Sequence, residues 1–387
     1  MKKEILIVIG SLDVGGTERH LAALLPRLVA AGRSVRIITL VKKGVLAADL
    51  EKQGVPVVCM LSDQNTKRLQ RLPNPLKRLT RLFLCVSRLA LLLRKEKNTI
   101  VHFFLPEAYV VGMLATLLAG FPGPRVMSRR SLNYYQHKRP FIGWLEKKLH
   151  TKTTYILGNS AAILNQLKEE EQVPAEKLAL IYNGIDFSSF VNLTPSEITR
   201  KNLNIKPGAL VMVIVANLIP YKGHVDLLAA LGIIQDKLPP DWQLISVGRD
   251  DGIGPSLQEQ AKALGLMNHL LWLGSRKDIP DILGCANIGL LVSHEEGFSN
   301  AILEGMAASL PMIVTRVGGN PEAVIDNMTG LVVEPKNPSA IANAILTLVN
   351  SPQQAAEYGR QGYLRVHNHF SLDASVKAYE QFYERLD

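Results

Sequence analysis

Short apolar runs rich in Val, Ile and Leu alternate along the chain with longer segments of helical spacing. "EILIVIGSL" is apolar and β-branched and predicts a buried strand. "GGTERHLAALLPRLVAAG" then carries apolar residues at helical spacing and stops at Gly32. "SVRIITLV" and "PVVCML" predict strands, followed by a basic helix, the strand "NTIVHFFL" and a helix ending near Gly120. "PRVMSRRSL" and "TYILGNS" predict further strands, each with polar residues at its carboxyl end. Around Ile185 to Gly208 the alternation loosens into polar, turn-rich sequence, which predicts a domain junction. It restarts with the strands "ALVMVIVANL", "WQLISVG", "HLLWLGS", "NIGLLVSH", "PMIVTRVG" and "TGLVVEP". Helices are predicted between them, and "SAIANAILTLVN" and "ASVKAYEQFYERL" close the chain.

Strands alternating with helices imply parallel sheets covered on both faces. Two such blocks predict an α/β protein of two doubly wound, Rossmann-like domains, over residues 1–190 and 191–370. Ligands of open parallel sheets sit at the carboxyl ends of strands, so chemistry is sought there.

Charge adds a surface to this picture. The chain has 387 residues and a formal net charge of +10. Between Lys67 and Lys97 stand Lys67, Arg68, Arg71, Lys77, Arg78, Arg81, Arg88, Arg94, Lys95 and Lys97, against the single acid Glu96. Leu76, Leu79, Phe83, Val86, Ala90 and Leu93 follow helical spacing among them. This reads as a basic amphipathic helix, either a domain helix with a solvated face or one that docks on an anionic leaflet. "RPFIGWLEKKLHTK", Arg139 to Lys152, repeats the pattern with Phe141 and Trp144 beside Lys147 and Lys148. No basic motif interleaved with aromatics occurs, so nucleic acid is not an expected partner. Cys59, Cys85 and Cys285 are scattered and odd in number, which fits a reducing compartment and no metal or disulfide framework. The opening "MKKEILIVIG" has too short an apolar run for a signal peptide and reads as a first strand. No apolar stretch is long enough to span a bilayer. A cytoplasmic location is expected, with peripheral attachment at the inner face of the cytoplasmic membrane if the basic helices dock.

The strand ends carry the candidate chemistry. Gly15 and Gly16 allow a tight turn before a helix whose first amides favour an anion. The glycines are adjacent and the next strand ends in "VKK", which argues against a dehydrogenase. Lys222 and Gly223 follow a strand ending near Asn217, where a lysine is placed to meet a phosphate. In "EEGFSNAILE", Glu296 precedes a helix capped by Ser299 or Asn300, and Glu304 lies about one turn inside. Helical side chains point back toward the N-terminus, so both carboxylates address one mouth with backbone donors between them. Phosphate takes the donors and sugar hydroxyls take the carboxylates, the arrangement a nucleoside diphosphate sugar needs.

"EGFSNAILEGMAASLPMIVTRVGGNPEAVIDNMTGLVV", with "SLDVGGTERH", "GNS", "NGID", "YKGH" and "VGRDDGIGP", resembles the retaining glycosyltransferases of family four, with the GT-B fold. Their hallmark of two glutamates separated by seven residues is matched by Glu296 and Glu304. The resemblance implies two Rossmann-like domains, the first completed by the closing helix at 371–387 and facing the acceptor, the second binding a nucleotide sugar. It implies Glu304 on the ribose hydroxyls, Glu296 on a hexose hydroxyl, and the amides of Gly297, Phe298, Ser299 and Asn300 on sugar and diphosphate. Lys222 would neutralise the leaving diphosphate, which Gly16 would approach. Front-face attack assisted by the leaving phosphate requires neither a metal nor another cofactor. The setting it implies is bacterial polysaccharide or lipopolysaccharide assembly on a glycan or lipid-linked acceptor. Asn217 stands where many members have an arginine, and Arg249 is the candidate replacement. Ser128, Arg129 and Arg130 stand where many have a histidine, which makes Arg129 a candidate contact to donor or acceptor. Ser309 replaces a frequent glycine, read as a packing matter. Two rival readings are a nucleotide-sugar epimerase of the same fold and a non-catalytic nucleotide-sugar-binding protein.

Overall fold

The structure is a computed structural model that describes residues 2–61, 73–137 and 139–387. It divides into two compact units: one runs to Asn183 and takes up Asp373–Asp387, the other is Gly184–Leu372. Each is built on a fully parallel sheet with helices in the crossovers, the doubly wound architecture expected.

The first unit contains β1 (Glu4–Ile9), β2 (Val35–Thr39), β3 (Val57–Cys59), β4 (Thr99–Phe104), β5 (Arg125–Arg129), β6 (Tyr155–Gly158) and β7 (Leu178–Leu180), in spatial order β3-β2-β1-β4-β5-β6-β7. Strand order reverses between β1 and β4, which pair with Ile5 opposite Ile100. Ile5 to Ile9 are fully buried, because helices cover both faces of such a sheet. The helix Gly16–Ala30 buries Leu21, Leu24, Leu25 and Leu28, one stripe at helical spacing. The closing helix Leu372–Glu384 brings the Tyr383 hydroxyl to His102 Nδ1 at 2.7 Å, while His102 Nε2 meets Ser128 Oγ at 2.8 Å. Burial, and then Arg130, pushes His102 down to about 3, so its ring stays neutral.

The basic helix is seen as Asn74–Leu93. Lys67, Arg68 and Arg71 lie outside the described residues. Its buried residues are Cys85, Leu89, Ala90 and Leu93, whereas Leu76, Leu79 and Phe83 are 50%, 70% and 70% exposed. The apolar stripe read from the sequence therefore faces the core only in its second half. On the helix Pro140–His150, Phe141 and Trp144 are also exposed and stack on each other at 5.8 Å.

The second unit contains β8 (Val211–Val215), β9 (Gln243–Val247), β10 (Leu270–Gly274), β11 (Ile288–Leu291), β12 (Met312–Thr315) and β13 (Gly330–Val333), in order β10-β9-β8-β11-β12-β13. Here the order reverses between β8 and β11, which are hydrogen-bonded neighbours. Loops leaving these two strands flank the crevice in which doubly wound sheets bind ligands. The helices Ala47–Lys52, Ala161–Glu169, Ser196–Asn202 and Pro352–His369 escaped the sequence reading, the last packing through Tyr358, Gly359, Gly362 and Val366. Ser309 has φ 59°, so it occupies the left-handed, helix-ending position that suits glycine. This corrects its reading as a packing matter.

Candidate active site

The loop after β8 and the loop after β11 meet in the second unit. Gly223 makes the approach feasible. It has φ 74°, and a Cβ there would stand 2.0 Å from the Val292 carbonyl oxygen. This close packing holds Lys222 against the loop after β11, and Lys222 Nζ donates to Glu296 Oε1 at 2.6 Å. Ser293 Oγ donates to the same oxygen at 2.7 Å. Burial opposes the charge on Lys222, but Glu296 more than offsets it and holds the ammonium above the ordinary lysine value. The ammonium also lies 5.3 Å from the centroid of the Tyr221 ring.

The mouth beyond Glu296 is equally fixed. Gly297 accepts from the Gly319 amide at 2.8 Å, and a Cβ on Gly318 would meet the Glu296 carbonyl at 1.9 Å. Phe298 is buried, its ring 5.2 Å from that of Phe370. Ser299 holds the N-cap position of the helix Asn300–Ala307, but its side chain makes no capping hydrogen bond, contrary to expectation. Asn300 opens that helix, and Glu304, half-buried, follows one turn later.

Two candidate cations already have carboxylate partners. Arg249 is held by Asp251, Nε to Oδ1 at 2.6 Å and Nη2 to Oδ2 at 3.0 Å, so its charge is matched within its own loop. Asn217 organises that turn by accepting from the Arg249 amide at 3.1 Å. Arg129, 2% exposed, is turned inward in the first unit. Its guanidinium donates to Glu171 at 2.9 Å, to Glu146 at 3.3 Å and to the Tyr135 hydroxyl. It is a structural cation, not a ligand contact.

Gly15 and Gly16 lie in the first unit, after β1. Gly15 is extended at φ −148° and ψ 173°, so no left-handed turn requires it. A Cβ there would stand 2.3 Å from the Glu18 carboxylate, whereas one on Gly16 would meet nothing within 4 Å. The sequence reading missed Ser293, and it missed His294 and Asp226, whose side chains meet at 2.5 Å. The signal available was a polar pair closing an apolar strand, "LLVSH". It also missed Leu105, whose φ of 73° at the carboxyl end of β4 is rare for leucine.

The sequence matches two family descriptions in tandem, "Glycosyltransferase Family 4" over residues 14–189 and "Glycosyl transferases group 1" over residues 195–365. The chain belongs to glycosyltransferase family 4. This family 4 glycosyltransferase is similar to the Escherichia coli UDP-Gal:alpha-D-GlcNAc-diphosphoundecaprenol alpha-1,3-galactosyltransferase, with 29% identity over 67% of this chain and 68% of that one. It is 25% identical to the capsular polysaccharide biosynthesis glycosyltransferase CapM of Staphylococcus aureus, over 86% of this chain and 91% of that one. Its fold matches HepE of Anabaena, solved in complex with UDP-glucose, with a TM-score of 0.83 and 22% identity over 99% of this chain and 100% of that one. The protein is thus a nucleotide-sugar-dependent glycosyltransferase of the GT-B fold. Both of these relatives are named as transferases, and neither speaks for the epimerase or the non-catalytic binding protein.

Proposed function

We propose that this glycosyltransferase moves a hexose or N-acetylhexosamine, with retention, from a uridine diphosphate sugar to a lipid-linked glycan during assembly of a bacterial surface polysaccharide. The observation that carries this reading is the Lys222–Glu296 pair between the two loops at the point where strand order reverses, with Glu304 one turn inside the following helix. Lys222 is the cation for the diphosphate, Glu304 takes the ribose diol and Glu296 a sugar hydroxyl. The backbone of Gly297, Phe298, Ser299 and Asn300 lines the sugar. Gly16 leaves room for a ligand group at the edge of the first sheet. With an ammonium opposite the diphosphate, transfer is metal-independent on this reading. The E. coli relative acts, by its name, with UDP-galactose on a diphosphoundecaprenol-linked sugar, which supports the donor and acceptor classes.

The site assignment is tested by titrating UDP and a panel of UDP-sugars, with and without chelator. Glu304→Ala is expected to weaken UDP binding by about 10- to 100-fold, the effect of one or two charge-assisted hydrogen bonds. Glu296→Ala should spare UDP and weaken the cognate UDP-sugar by about tenfold. Wild-type affinities in both variants would reject the assignment.

We also read the first unit as docking on an anionic bilayer at the cytoplasmic face. No described helix is long and apolar enough to cross a membrane. The helix Asn74–Leu93 bears Lys77, Arg78, Arg81 and Arg88 and no acid, alongside exposed Leu76, Leu79 and Phe83. Arg81 also pairs with Glu107 at 3.0 Å. Such a helix binds by apolar insertion plus attraction to anionic lipid. Co-sedimentation with vesicles of one-third phosphatidylglycerol should exceed that with neutral vesicles and fall with salt and in Leu79→Ser/Phe83→Ser. Equal sedimentation with both vesicle types at low salt would refute docking.

A further inference from the structure

We propose that His294 and Asp226 form a second clasp that keeps Glu296 on the sugar once Lys222 has turned to the diphosphate; this rests on the site roles given above. Two side-chain ties span the same two segments, 220–226 and 292–297. One is Lys222 to Glu296 at 2.6 Å. The other is His294 Nε2 to Asp226 Oδ2 at 2.5 Å, reinforced by the His294 amide on the Tyr221 carbonyl at 2.6 Å. All four side chains are largely withdrawn from solvent, at 17% and 10% exposed for the first pair and 22% and 17% for the second. Screening is therefore weak and both ties hold the loops.

The first tie cannot serve both states of the reaction. A diphosphate carries more charge than the Glu296 carboxylate and draws the Lys222 ammonium toward itself. Glu296 Oε1 then keeps the Ser293 hydroxyl, one neutral hydrogen bond, as its only side-chain tie among those the structure shows for it. The carboxylate has to stay aimed at a sugar hydroxyl at the same moment. His294 lies two residues before Glu296, and Asp226 four residues after Lys222 on the first turn of the helix His224–Ile234. Their link joins the same segments without using Lys222, so it persists when the lysine moves. The neighbouring His224 is no substitute. It is 3% exposed with neither ring nitrogen bonded, and burial, and then Lys222, pushes it down to about 4. His294 and Asp226 are accordingly positioning residues. Their effect is confined to ligands that bring a sugar as well as a diphosphate.

The test is calorimetric titration of UDP and of the UDP-sugar that wild type binds best, into wild type, His294→Ala, His294→Gln and Asp226→Asn. UDP affinity should stay within about twofold, because Glu304 and Lys222 are untouched, while UDP-sugar affinity falls roughly tenfold in His294→Ala and Asp226→Asn. His294→Gln, whose amide still reaches toward Asp226, should recover part of that loss. Equal loss for UDP and UDP-sugar would mark a merely structural role and overturn the proposal, as would unchanged affinity for both. Asp226→Asn keeps size and shape, so it remains informative if His294→Ala folds poorly. A wild type that binds no uridine nucleotide would reject the site reading itself, whereas normal wild-type binding with unaltered variants rejects the clasp alone.

Discussion

Lys222→Met should lower kcat for sugar transfer by about 10²- to 10³-fold, the usual effect of removing one preorganised group that stabilises developing charge. The donor KM should change far less. In the resting protein the ammonium is held by Glu296 at 2.6 Å, so giving up that tie offsets part of its attraction to a bound diphosphate. Charge builds on the diphosphate as the bond to the sugar breaks, and an interaction that strengthens only then raises kcat rather than lowering KM. Methionine keeps the length and the apolar stem beside Tyr221 but removes the charge. The pair keeps the lysine above its ordinary value, so it is protonated throughout the working range and deprotonation does not mimic the substitution. Steady-state kinetics with saturating acceptor decides the matter. A kcat within threefold of wild type would mean that Lys222 only braces the Glu296 loop.

The second large effect is on stability. Arg129→Met should destabilise the first unit by about 3–5 kcal/mol, because it leaves buried carboxylates without their cation. Glu146 and Glu171 have side chains 0% and 1% exposed. Gln136 bonds both, and His150 Nε2 meets Glu171 at 2.8 Å while its Nδ1 meets the Tyr109 hydroxyl at 2.8 Å. Burial alone would raise the Glu171 carboxyl, but His150, Arg129 and Gln136 together hold it below its ordinary value. It is therefore ionised at neutral pH, and the stability it contributes is lost only as pH falls below about 4.5. Thermal unfolding of Arg129→Met should drop by roughly 10 °C at pH 7. Arg129→Met/Glu171→Gln should regain part of that, because it removes one of the stranded charges. A drop under 2 °C would mean that the network is solvated and contributes little.

Arg129 also shows why the sequence was legible in some places and not in others. The strands could be read because a strand buried on both faces is continuously apolar, as in Ile5 to Ile9. Lys222, Gly223 and Glu296 could be read because they follow such strands, and strand ends are where chains of this class hold ligands. What the sequence did not show is neutralisation. Arg249 is matched by Asp251 two residues on, and Arg129 by carboxylates 17 and 42 residues away. Asp251 stands beside Arg249 in the sequence, but nothing in the neighbourhood of Arg129 announces its pairing. The helix Pro352–His369 was hidden for a different reason. Its inner face sets Gly359 and Gly362 between Tyr358 and Val366, with the Gly359 Cβ position only 2.0 Å from the Ser309 carbonyl, so the apolar stripe is broken by glycine. Leu79 and Phe83 mislead in the opposite sense, apolar at helical spacing yet exposed.

The closing segment, Asp373–Asp387, belongs to the first unit although all of the second unit separates it from the rest. Tyr383 reaches His102, and Asp387 pairs with the fully buried Arg33 at 2.6 Å. A ribosome therefore releases nearly all of the first unit, then all of Gly184–Leu372, before it supplies the residues that satisfy these groups. The first unit therefore cannot be completed before the second has been synthesised, unlike the usual case in which the N-terminal domain matures first. The second unit can mature while the first still lacks a wall.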